Sequence, residues 1–158
     1  MAKGSKIIIT SEPKGVFMEG IVSGTPSPGT VMQIKAATEP VLGKFTWEVA
    51  NTDADGNQRL VAVLLEDALQ GKLATDAYTT GTRCFLYCPI PGEELNMLLA
   101  NIAGTADDHA IGELLIVDDG TGLLIATTGS PESEPFVCLE TVTDPTADTL
   151  ARCMFTGY

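Results

Sequence analysis

The chain has 158 residues, 44% of them hydrophobic, with 21 acidic against 9 basic side chains and a net charge of −12. That length and apolar content suffice for one domain with its own core and exclude global disorder. The acidic balance argues against nucleic acid or an anionic membrane as partner, because both need clustered Lys and Arg.

The 16 Gly and 9 Pro favour many turns and therefore many short strands. Residues 1–30 stand apart. They mix β-prone pieces with Pro13, Gly15, Gly20, Gly24, Pro26, Pro28 and Gly29, and Ile7, Ile8 and Ile9 have little local pattern to bury them. This stretch reads as an arm that needs a partner, with 25–30 as a hinge or turn. Isolated apolar anchors in such a segment, Ile7, Ile8, Ile9 and Phe17, suit strand addition onto another protein's sheet edge. The apolar run at 7–9 is too short for a secretory signal, and no stretch reaches the length of a membrane span, so synthesis in a cytosol is expected.

From Val31 short strands follow closely. Residues 31–35 alternate. Residues 44–51 alternate too, with Phe45, Trp47 and Val49 on one face, and Trp47 is expected in the core. Asp55 and Gly56 mark a hairpin turn. Residues 59–67 form a near-continuous apolar run, as in a strand buried on both faces. Residues 65–76 fit a short helix or a loop. Residues 83–88 form a strand that ends at Pro89 and Pro91. Residues 94–101 fit a strand or a two-turn helix, since Leu95, Leu98 and Leu99 match helical spacing. The run from Asp118 to Gly122 is the clearest hairpin. Residues 136–144 and 151–158 are the closing strands, and no repeat of fixed period is visible.

Candidate chemistry is sparse. Cys84 and Cys88 share one strand face and read, with Cys138 and Cys153, as buried apolar thiols. No CxxC occurs and His109 has no second histidine at ligand spacing, so no metal site is expected. Residues 51–56 match the first half of an EF-hand loop, but position twelve is Ala62 where a Glu is required; a turn is the better reading. Asp107, Asp108 and His109 read as a solvated turn. The pairs Glu66/Asp67 and Glu93/Glu94, with Glu140, lack the aromatic surroundings of a sugar site. No catalytic, cofactor-binding or metal residue is assigned, and the chain is expected not to be an enzyme.

The pattern resembles the decoration, or structural cement, proteins of tailed-phage capsids. The resemblance covers about residues 28–158. It rests on Pro28, Gly29 and Thr30, on Leu65, Glu66 and Asp67, and on the turn at 78–81. It extends over 92–99, the 112–122 hairpin and 138–140. Two departures from the family pattern occur: Glu113 stands for the usual Asp, and Cys138 and Leu139 replace the usual Ala.

The resemblance implies a mainly β protein: a compact β-barrel or β-tulip-like body, 31–158, with one or two short helices and an extended capsid-binding arm, 1–30. It implies a homotrimer at three-fold and quasi-three-fold positions on the outer surface of the phage head. There it would bind the major capsid protein and brace the shell against internal DNA pressure, with no cofactor, nucleic acid or membrane involved. Removing 1–30 is expected to leave a folded body that no longer binds shells. The alternatives are a tail or fibre-base β module and a small ligand-binding barrel.

Overall fold

The computed structural model describes residues 6–35, 40–41, 43–51, 61–101, 108–126, 135–143 and 147–157. Among them, ten strands form two closed five-stranded barrels. The first holds β1 (Val16–Val22), β2 (Val31–Ile34), β3 (Thr46–Val49), β4 (Val61–Leu64) and β5 (Arg83–Cys88). The second holds β6 (Glu94–Leu99), β7 (Leu114–Val117), β8 (Leu124–Ala126), β9 (Phe136–Cys138) and β10 (Thr149–Phe155). The mainly β barrel expectation holds, with two barrels where one body was expected. The helical content of the described residues is a 3₁₀ turn at Ala68–Gln70, where Asp67 Oδ1 accepts from Gln70 N at 3.2 Å. The expected hairpin at Asp55 and Gly56 and the half EF-hand loop lie outside the described residues, apart from Asn51.

The two barrels are one topology used twice. Numbered along the chain, the strands of each close in the order one, three, two, four, five. The first and third run parallel and every other neighbouring pair is antiparallel. Register repeats as well. Val22↔Trp47 corresponds to Leu99↔Leu124, Met32↔Val49 to Leu115↔Ala126, and Val31↔Val63 to Leu114↔Val137. Hydrogen bonds at the strand ends follow suit. Gly29 N donates to Leu64 O at 2.8 Å as Gly112 N does to Cys138 O at 2.8 Å. Leu64 N donates to Thr30 O at 2.9 Å as Cys138 N does to Glu113 O at 2.9 Å. No fixed period marks this duplication in the sequence because the connections differ in length: 23–30 joins the first two strands of one barrel, and 100–113 those of the other.

Strand alternation fills both interiors. Val22, Met32, Trp47, Ala62, Leu64, Cys84 and Leu86 point into the first barrel. Gly20 gives the Trp47 indole its place, since a Cβ there would lie 2.2 Å from Trp47 Cδ1. Leu95, Met97, Leu99, Leu115, Leu124, Phe136, Cys138, Ala151, Cys153 and Phe155 fill the second. Val31, Val63 and Tyr87, on the outward faces of β2, β4 and β5, join that second cluster. This explains the near-continuous apolar run read at 59–67: Ala62 and Leu64 face one core and Val63 the other. Across the junction, Val31 N donates to Gly122 O at 2.8 Å and Leu98 N to Gly29 O at 3.1 Å.

The structure revises several sequence expectations. Among the described residues, 6–30 are not an arm set apart from the body, because Val16–Val22 is a barrel strand paired with β5 from Val16 to Ile21. Removing 1–30 therefore deletes β1 and opens the first barrel rather than leaving a folded body. The expected hinge at 25–30 is a tight connector in which Pro26, Pro28, Gly29 and Thr30 are buried. Residues 94–99 are strand, with Leu95, Met97 and Leu99 inward at period two. Trp47 is buried as expected, but Phe45 lies before β3 and is 51% exposed.

Candidate functional site

The segment 6–10 lies along β6 as an added strand. Asn96 N donates to Ile7 O at 2.7 Å, Ile9 N to Glu94 O at 3.0 Å, and Glu94 N to Thr10 Oγ1 at 2.8 Å. Asn96 Nδ2 donates to Lys6 O at 2.7 Å, and Ile7 N donates to Glu66 Oε2 at 3.1 Å. β6 has room for this strand because its pairing with β8 is confined to Leu99. The three isoleucines thus part company. Ile7 is fully buried in the core, Ile8 pairs with Leu95 and packs against that core, and Ile9 is 37% exposed. The expected use of this segment was strand addition onto another protein's sheet edge; among the described residues its strand partners are in β6 of the same chain.

After the added strand the chain is pinned again. Lys14 N donates to Glu93 Oε1 at 2.6 Å, and Gly15 N to Tyr87 Oη at 2.7 Å. Tyr87 Oη lies 2.6 Å from each Glu93 oxygen, and Ile90 N donates to Glu93 Oε2 at 2.9 Å. Glu93 is 5% exposed. Burial by itself raises its carboxyl pKa, but the hydrogen bonds from Tyr87, Lys14, Ile90 and Gly15 together lower it below the usual range. Burial first, then the Glu93 carboxylate, push the Tyr87 phenol up to about 12.

Between this pinned segment and the first barrel lies a groove of about 640 Å³. Ile8, Phe17, Met18, Leu65, Leu69 and Phe85 give it an apolar lining, with Lys6, Glu19 and Glu66 also at its walls. Phe17 is 58% exposed on β1, its ring 4.8 Å from that of Tyr87, and Leu69 is 81% exposed on the 3₁₀ turn. Glu19 pairs with both Lys44 and Arg83, whose hydrogen bonds hold its carboxyl below the ordinary range. Such a surface is built to take apolar side chains.

His109 is not in a solvated turn. It is 2% exposed, bridges to Val142, and places Nδ1 2.9 Å from Glu113 Oε2. A carboxylate only accepts, so Nδ1 carries the proton. Asp108 is exposed and Asp107 lies outside the described residues. No cluster of three or more His, Cys, Asp or Glu able to hold a metal occurs among the described residues. The groove, and β6 as the edge that receives 6–10, escaped sequence reading because their parts come from residues 6–19, 65–69 and 85–96.

The fold belongs to the class of paired small β-barrels. Among solved structures, the chain is similar to the head fiber gp8.5 N base of bacteriophage phi29, with a TM-score of 0.53 and 8% identity over 90% of this chain and 94% of that one. At that identity the likeness is one of fold. No protein-family model matches the chain, and no curated protein matches it.

Proposed function

We propose that the chain is a non-enzymatic structural protein of a tailed-phage virion. In this reading it is a cement protein that sits as a homotrimer on the outer surface of the head and binds the major capsid protein without cofactor, nucleic acid or membrane. The observation that carries it is the fold shared with a phage head fibre base over nearly the whole of both chains. The resemblance in the sequence from residue 28 onward points the same way.

The docking surface in this proposal is the edge of β1 with its groove. By register, Phe17 and Glu19 of β1 correspond to Glu94 and Asn96 of β6. In the second barrel those positions receive the segment 6–10. In the first barrel β1 pairs with β3 only from Ile21 onward, and no added strand lies along Phe17 and Glu19 among the described residues. An extended capsid segment laid there would repeat between chains what 6–10 does within one, with Phe17 and Leu69 as apolar anchors. Many copies on one shell would multiply a modest single contact.

Phe17→Asp is expected to weaken co-sedimentation with expanded empty capsids at least tenfold while Tm shifts by no more than about 2 °C, since the side chain is largely exposed. Full binding by that variant would remove β1 from the interface. Ile7→Asp should do the reverse and unfold the chain, because it places a charge in the core. If the wild-type chain itself ignores capsids, the cement reading fails. The fibre-base alternative is favoured by the likeness in fold to a phage head fibre base. Electron microscopy of decorated heads separates the two, since a fibre base carries projecting density beyond the barrels and a cement protein does not.

A further inference from the structure

The second barrel carries a cross-strand pair of thiols where the first carries a pair of leucines. Cys138 on β9 and Cys153 on β10 are register partners, and both are fully buried. The pair on one side is hydrogen-bonded, Leu139 N donating to Arg152 O at 2.8 Å, and so is the pair three positions along on the other side, Thr156 N donating to Pro135 O at 2.8 Å. With hydrogen-bonded pairs alternating along the ladder, Cys138 and Cys153 occupy a non-hydrogen-bonded pair. There the Cα atoms approach to about 4.5 Å and the side chains lie closest. A disulfide accepts Cα separations of roughly 4.4–6.8 Å. The equivalent pair in the first barrel is Leu64 and Leu86, also fully buried. Packing at this position is thus met by two leucines in one barrel and by two thiols in the other. Cys84 and Cys88 offer no rival pairing with each other: four residues apart on one strand, they are about 13 Å apart.

We propose that Cys138 and Cys153 form a reversible cross-strand dithiol–disulfide couple, reduced in the cytosol and closed into a disulfide in an oxidising medium. All four cysteines are thiols in this structure. The nucleophile is Cys138: a hydrogen bond from Cys153 lowers its thiol to about 6, against a burial that would raise it. A glutathione-type disulfide is the oxidant, and it gains access when the three-residue β9 opens or before the barrel closes in folding. The Cys138 thiolate attacks one sulfur of oxidised glutathione. That S–S bond breaks and the first glutathione leaves as a thiolate, which takes up the proton Cys138 gave to solvent. Cys153, after losing its own proton, attacks the Cys138 sulfur of the mixed disulfide and expels the second glutathione, which is protonated in turn. Two protein thiols are oxidised and one glutathione disulfide is reduced to two thiols.

The test is to refold the full chain in buffers of graded oxidised and reduced glutathione, so that access does not limit the outcome. Digestion with a glutamate-specific protease then separates Cys138 from Cys153 at Glu140 and both from Cys88 at Glu93. The expected product is a linked Cys138–Cys153 peptide, two hydrogens lighter than its parts, half-formed while reduced glutathione is still in excess. The linked protein should melt roughly 5–10 °C higher than the reduced one. Cys153→Ala should abolish both the linked peptide and the shift, and Cys88→Ala neither. Four titratable thiols at the most oxidising ratio, or a linkage through Cys84 or Cys88 in place of this pair, would overturn the proposal.

Discussion

Gly122→Ala is expected to lower Tm by roughly 5–15 °C, while Gly120→Ala, two residues away in the same hairpin, lowers it by only about 2–5 °C. Both glycines have positive φ, 68° and 80°, so both substitutions carry the left-handed strain of about 1–2 kcal/mol. They differ in what a new methyl group meets. At Gly120 nothing lies within 4 Å. At Gly122 the Cβ would stand 2.4 Å from Val31 O, 2.8 Å from Thr30 Cγ2 and 3.3 Å from Ala50 N. Val31 O and Ala50 N are themselves hydrogen-bonded at 2.9 Å, so they cannot move apart without breaking a bond of the first barrel. The hairpin must retreat instead, stretching the bond from Val31 N to Gly122 O across the junction. Overpacking of this kind costs about 1–3 kcal/mol beyond the backbone strain. Thermal melting of the two variants side by side checks this. Equal losses would mean that the junction tolerates the methyl group and that the barrels are not held at this point.

That junction also shows how far the sequence could be read. The hairpin was legible because Asp118, Gly120 and Gly122 carry turn chemistry that acts within a few residues. Asp118 N donates to Leu123 O at 2.7 Å, and Thr121 Oγ1 to Asp118 Oδ2 at 2.6 Å. The second task of Gly122, to let two barrels approach, depends on Val31, ninety-one positions earlier, and leaves no local mark. Residues 94–101 stayed open between strand and helix for a related reason. Leu95, Leu98 and Leu99 satisfy a helical spacing, and only pairing with β10, fifty residues on at its nearest, decides for period two. The segment 6–10 had no local partner because its partners are Glu66, Glu94 and Asn96.

The duplication was hidden differently. Equivalent positions share a role and not an identity: Trp47 answers to Leu124, Leu64 to Cys138, Phe17 to Glu94. Inward positions ask only for apolar volume, so two barrels can keep one register while their sequences diverge. Outward positions diverge because their surroundings do. Phe17 lines an open groove, whereas Glu94 lies under an added strand and pairs with Arg152. The candidate site is thus a place where the two copies differ, and a sequence that shows no repeat does not show that difference.

Glu93→Ala should destabilise the chain by about 3–5 kcal/mol, the largest loss expected from any single polar side chain here. The carboxylate accepts from Tyr87, Lys14, Gly15 and Ile90, and so ties the start of β1, the middle of the structure and the link between barrels to one point. Truncation leaves a buried phenol and several main-chain donors without an acceptor. Glu93→Gln keeps the volume but turns an amide donor toward those donors, with a loss of roughly 1–3 kcal/mol. The pH dependence has a definite sign. The folded-state pKa of Glu93 lies below its unfolded value, so between the two the unfolded chain binds more protons and stability rises with pH. The stabilisation is complete above the unfolded carboxyl pKa, about 4.3, and is lost as pH falls through the folded value. Wild-type Tm minus Glu93→Gln Tm should therefore be flat from pH 7 to about 5 and shrink steadily below it. A difference that grows on acidification would mean that the folded chain protonates Glu93 first and that its cradle does not favour the anion.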